Sequence, residues 1–90
     1  MFDTIIRGGT VIDGTGRPGF TADVGITAGK IAAVGALSAA PASRVIDASG
    51  RVVTPGFIDI HRHADAAAFR PGYGELELRQ GLTTIVNGNC

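Results

Sequence analysis

The 90-residue chain has one cysteine, Cys90, so no intrachain disulfide can form. That leaves a thiol-tolerant, cytoplasmic protein as the expectation. Aromatic residues are scarce: Phe2, Phe20, Phe57, Phe69 and Tyr73 are scattered and give bases no stacking platform. Neither sign of charge prevails, with 8 Lys plus Arg against 8 Asp plus Glu. A net charge of zero offers no electrostatic footprint for nucleic acid or an anionic membrane. Long apolar runs are missing too. Met1 to Thr4 is not a basic segment leading into an apolar one, so no signal peptide is expected. The Ala-rich stretch from Ile31 to Ala42 is broken by Gly35, Ser38 and Pro41 and is too short to span a bilayer.

The chain does contain 44% apolar residues, enough for a modest core, and 14 glycines that fall mostly at breaks between short β-type segments. Asp3 to Arg7 and Thr10 to Asp13 read as strands with Gly8-Gly9 as a tight turn. Ala22 to Thr27 and Lys30 to Val34 flank Ala28-Gly29 as a second hairpin, with Val24 and Ile26 alternating against smaller neighbours. Arg44 to Asp47 and Arg51 to Thr54 flank Ala48-Ser49-Gly50 as a third, and Ser38 to Ser43 reads as a loop. After Pro55-Gly56 the pattern changes. Phe57 to His61 is predicted as a strand, Ala64 to Gly74 as a loop, and Glu75 to Gln80 as a helix with Gly81 as its C-terminal cap. Glu75 and Arg79 stand at i,i+4 spacing on that helix. Thr83 to Asn87 returns to strand, which completes a βαβ unit whose strands would run parallel.

His61-Arg62-His63 is the chemical centre of the sequence. In an extended segment, residues two apart point the same way with Cα atoms roughly 6.5–7 Å apart. Two imidazoles at that spacing can converge on one divalent cation. They follow an apolar strand, at the end where α/β enzymes place their sites. The alternative is a solvated or packing-bonded His-x-His. Asp59 shares their face and can orient an imidazole or the local backbone, although a strand-end hydrogen bond serves it nearly as well. Asp65, two residues beyond His63, reads first as a loop cap. Cys90 follows the second strand of the βαβ unit, so its thiol can reach the same cation; the alternative is a small buried residue. Gly14 to Gly19 matches G-x-G-x-x-G, but strand rather than helix follows it, so it reads as a turn. No G-x-S-x-G elbow is present.

These residues resemble a known family. GGTVIDGTG from Gly8 to Gly16, then Ala22-Asp23-Val24, Gly29 to Gly35, Ile46-Asp47-Ala48 and Gly50 to Val53, are similar to the opening of amidohydrolase-superfamily enzymes. Pro55 to His63, PGFIDIHRH, is the most specific element. Gly81 to Val86 with Gly88-Asn89-Cys90 resembles the N-acyl-D-amino-acid deacylase (D-aminoacylase) branch. The resemblance implies residues 1–54 as part of a small β-sandwich and residues 55–90 as the truncated start of a metal-dependent (β/α)₈ barrel. It implies one or two zinc ions, with other divalent metals possible, held by His61 and His63, and Cys90 as a further ligand able to bridge two metals. Arg62 stands where the family more often has Thr, and Ala64 where Asp is common. The family's catalytic aspartate would lie downstream of this chain.

The implied reaction is hydrolysis of a linear amide, an N-acyl-D-amino acid, by a metal-activated water, at a C–N bond other than a peptide bond. A barrel needs roughly 250 residues, so the 90-residue piece is expected to be inactive alone, with the remainder of its own chain as a partner. Its apolar edges invite self-association. Two alternatives are a cyclic-amide hydrolase of the dihydropyrimidinase or dihydroorotase type, and a non-catalytic β module.

Overall fold

A computed structural model describes residues 1–63 and 70–88 of the chain, which divides into two compact units, Met1–Pro55 and Gly56–Cys90. The first is a five-stranded sheet. Strand β1 (Phe2–Val11) pairs antiparallel with β2 (Phe20–Thr27), which pairs antiparallel with β3 (Lys30–Gly35). Along its other edge β1 runs parallel first to β4 (Ala42–Asp47) and then to β5 (Val52–Val53). Val11, Ala22 and Val24 form the buried centre, with Ile6, Phe20, Ile26 and Val53 packed against them. Ile5 is fully enclosed.

The Ala28-Gly29 hairpin forms as the sequence implies. Both residues have positive φ, 52° and 74°, as a type I′ turn requires. The Gly14–Gly19 stretch is likewise a turn that leads directly into β2. The other two hairpins are corrected by the structure. Gly8-Gly9 does not reverse the chain; β1 continues through it as a β-bulge, the register shifting between Ile6↔Val24 and Gly9↔Ala22. A glycine with φ of 75° serves a bulge as readily as a turn. The choice is made by Asp23, across the strand pair. Its Oδ1 accepts the Gly8 N–H at 2.8 Å and its Oδ2 accepts the Leu37 N–H at 2.9 Å, while the residue itself is buried.

Ala48-Ser49-Gly50 is a loop between two strands that both pair with β1, not with each other. Asp47 organises it by accepting the Ser49 N–H at 2.9 Å and hydroxyl at 2.6 Å. Ala48 donates its N–H to the Arg7 carbonyl and packs beneath Gly9. A Cβ at Gly9 would lie 3.1 Å from the Ala48 Cβ and 2.5 Å from a Val53 methyl, so only glycine lets the loop close over the bulge.

The second unit is small. Strand β6 (Phe57–Asp59) is followed by helix α1 (Glu75–Arg79) and strand β7 (Leu82–Ile85), with β6 and β7 parallel. Both strands are shorter than the periodicity implies, and β4 starts two residues earlier than Arg44. The helix carries the expected Glu75–Arg79 ion pair at 2.8 Å. Gln80 is its C-cap, and Gly81, with φ of 85°, donates its N–H to the Leu78 carbonyl. Apolar surface stays open here: Ile58 is 62% exposed and Ile60 68%. Residues 64–69, including Asp65, lie outside the described residues. No described helix is long and apolar enough to cross a membrane.

Replacing Asp23 by Ala strands two backbone N–H groups, and should cost about 2 kcal/mol at neutral pH. The hydrogen bonds from Leu37 and then Gly8 hold the Asp23 carboxyl below its usual 3.8. A lowered carboxyl pKa contributes stability that is complete above the unfolded value and is lost as pH falls through the folded one. Thermal melts should therefore show a smaller gap between parent and Asp23→Ala at pH 2 than at pH 7.

Candidate functional site

In a parallel pair, both strands end on the same side, so β6 and β7 deliver their following residues together. The last paired residues are Asp59 and Ile85, and the Val86 N–H donates to the Asp59 carbonyl at 2.8 Å. Two residues further on each strand stand His61 and Asn87.

Beyond Asp59 the strand pairing stops, and a side-chain bond is found at His61. Asp59 Oδ1 accepts the His61 N–H at 3.1 Å, so this carboxylate holds the backbone that carries the first imidazole. The rings of His61 and His63 lie close together, centroids 5.4 Å apart and planes tilted by 50°. Both residues are exposed. The period-two spacing thus brings the two imidazoles side by side, as extended backbone dictates.

Arg62, between them, is half-buried and engages other groups. Its Nη2 donates to Glu77 Oε1 of α1 at 2.6 Å, and Nη1 lies 3.7 Å from Asp59 Oδ2. The Glu77 bond, with the charges of Glu77 and Asp59, raises the Arg62 pKa further above the usual guanidinium range. The backbone N–H of Glu77, and then Arg62, hold the Glu77 carboxyl below its usual 4.5.

The structure brings together His61, His63 and Asp59 of the residues singled out by sequence. Cys90 lies outside the described residues. Among the described residues, no group of three His, Cys, Asp or Glu side chains gathers to hold a metal ion. Two residues were not anticipated. Glu77 faces Arg62 from a helix fifteen residues away, and no local pattern signals that pairing. Asn87 has an enclosed Oδ1 with no hydrogen-bond donor among the described residues. It stands as far past the last paired residue of β7 as His61 does past that of β6.

The donor set suits a borderline-soft divalent cation: two imidazole rings stand side by side, and the charge of the intervening Arg62 is met by Glu77 and Asp59.

Residues 44–90 match the amidohydrolase family. An N-acyl-D-glutamate deacylase of Alcaligenes xylosoxydans xylosoxydans is 55% identical over 89 residues, covering 98% of this chain and 18% of its own length. The crystal structure of a D-aminoacylase superposes with a TM-score of 0.94 at 53% identity, covering 100% of this chain and 19% of that one. An N-acyl-D-glutamate deacylase from Bordetella bronchiseptica, crystallised with zinc and a phosphonate mimic of its tetrahedral intermediate, gives 0.93 at 48% identity, covering 99% and 19%. This chain therefore spans less than a fifth of the length of these relatives.

Asp59→Ala should speed hydrogen exchange of the His61 amide by about five- to tenfold, the worth of one such bond. Asp59→Asn, which keeps the acceptor oxygen, should leave the rate near that of the parent.

Proposed function

The chain belongs to the amidohydrolase family, and from that premise we propose that it supplies the first metal ligands of a zinc-dependent hydrolase of N-acyl-D-amino acids. The observation that carries this reading is the imidazole pair, 5.4 Å between centroids, at the end of a strand that pairs in parallel. The likeness to deacylases across the whole of this chain supports a linear amide as the substrate. Residues 1–54 are then part of a β-sandwich, and residues 55–90 the first βαβ unit of a (β/α)₈ barrel completed by further chain.

In this reading His61 and His63 bind zinc through one nitrogen each, and Cys90 joins them as a thiolate. Bound zinc lowers the pKa of its water toward about 7 and polarises the scissile carbonyl. The work of this chain is placement. Each histidine must be neutral, with a free lone pair toward the ion and its remaining N–H toward an acceptor. Asp59 holds the His61 backbone in line through its 3.1 Å bond. A coordinated Cys90 gives up its proton on binding.

The test uses the full-length protein loaded with zinc and offered N-acetyl-D-amino acids, with release of the free D-amino acid as the readout. His61→Ala, His63→Ala and Cys90→Ala should each lower both zinc content and kcat/KM. The loss should exceed the ~10–100-fold typical of partners outside the ligand set. Turnover of a cyclic amide such as dihydrouracil, with none of any N-acyl-D-amino acid, would overturn the substrate assignment. Residues 1–90 alone should release no product.

A further inference from the structure

Arg62 occupies a position that the metal-binding reading leaves without a task. It separates the two imidazoles, and a free guanidinium there would repel a divalent cation. Its charge is nevertheless directed into α1, where Glu77 receives it at 2.6 Å, and Asp59 stands 3.7 Å away on the other side. These contacts are well shielded for an ion pair: the side chains of Arg62, Glu77 and Asp59 are 29%, 18% and 28% exposed. By contrast, the Glu75–Arg79 pair on the same helix is 63% and 72% exposed.

The backbone explains why the anchor matters. The β6–β7 ladder ends at Asp59, so residues 61–63 lack its hydrogen bonds. Among the described residues, the His61 N–H is held by the Asp59 carboxylate. The φ and ψ angles of residue 62 set how the His63 side chain faces relative to that of His61. Pinning Arg62 to α1 therefore restrains the relative facing of the two imidazoles.

We propose that Arg62 and Glu77 form a positioning clamp, in which the ion pair to α1 fixes the His61 and His63 rings for a shared divalent cation and cancels the charge that would expel it. The inference rests on the metal-binding reading above and adds to it two residues that are not ligands.

Charge and position make opposite forecasts, which allows a clean test in the full-length protein. A purely electrostatic role would have Arg62→Gln tighten zinc binding and Glu77→Gln weaken it. The clamp requires both to weaken it. The measurement is zinc affinity by chelator competition, with the visible absorption of the cobalt-substituted protein as a geometric readout. Arg62→Gln and Glu77→Gln should each reduce zinc affinity about tenfold and alter the cobalt spectrum, within the range for groups that orient ligands. The double substitution should cost no more than either alone, because the two act as one unit. Arg62→Lys, which keeps the charge and some reach to Glu77, should recover part of the loss. Opposite shifts for the two single substitutions, or affinities within twofold of the parent, overturn the clamp. His61→Ala serves as the control. If it loses zinc while the Arg62 and Glu77 variants keep it, the clamp alone fails. If it binds zinc like the parent, the metal-site reading fails with it.

Discussion

Hydrogen bonds between parallel strands slant evenly along the pair, so the two chains must leave the sheet side by side. That constraint turns a short stretch of β-structure into a platform. Phe57–Asp59 and Leu82–Ile85 contribute few residues to it, yet their pairing decides which side chains can meet beyond it. His61 and Asn87 each stand two residues past the last paired positions, although 26 residues separate them in sequence. Asp59 then extends order past the ladder by swapping a lost strand partner for its own carboxylate. Everything proposed for the imidazole pair depends on this junction between ladder and loop.

The first unit solves a different problem, that of keeping a long central strand in contact with two parallel neighbours. β1 meets β4 and then β5 along one edge, and the connection between those strands needs room. The bulge at Gly8-Gly9 provides it, with Ala48 filling the space that a side chain at Gly9 would claim. Asp23 closes the arrangement from the opposite side. One carboxylate serves the bulge and the chain after β3 at once, and a second, Asp47, shapes the covering loop.

What could be read from sequence follows a clear division. The Ala28-Gly29 hairpin, the Glu75–Arg79 helix with Gly81 after it, and the side-by-side imidazoles all rest on contacts a few residues apart. Local periodicity encodes these directly. Gly8-Gly9 and Ala48-Ser49-Gly50 are ambiguous in sequence because a positive φ suits a bulge, a loop or a reversal equally. The deciding partner, Asp23, lies fifteen residues away from Gly8. The Arg62–Glu77 pair escaped for the same reason. Charged residues are common enough that only tertiary structure shows which two meet.

The tight turn at Ala28-Gly29 also bears on the order in which this sheet assembles. Hairpins with two-residue turns close in about 1–10 μs, because little chain entropy is lost before the first bonds form. By contrast, the parallel contacts of β1 draw Phe2 to Ala42 and Thr10 to Val52, and must close long segments first. The strand at the centre of the sheet is therefore expected to acquire its last neighbours late, on a template that β2 and β3 have already laid down.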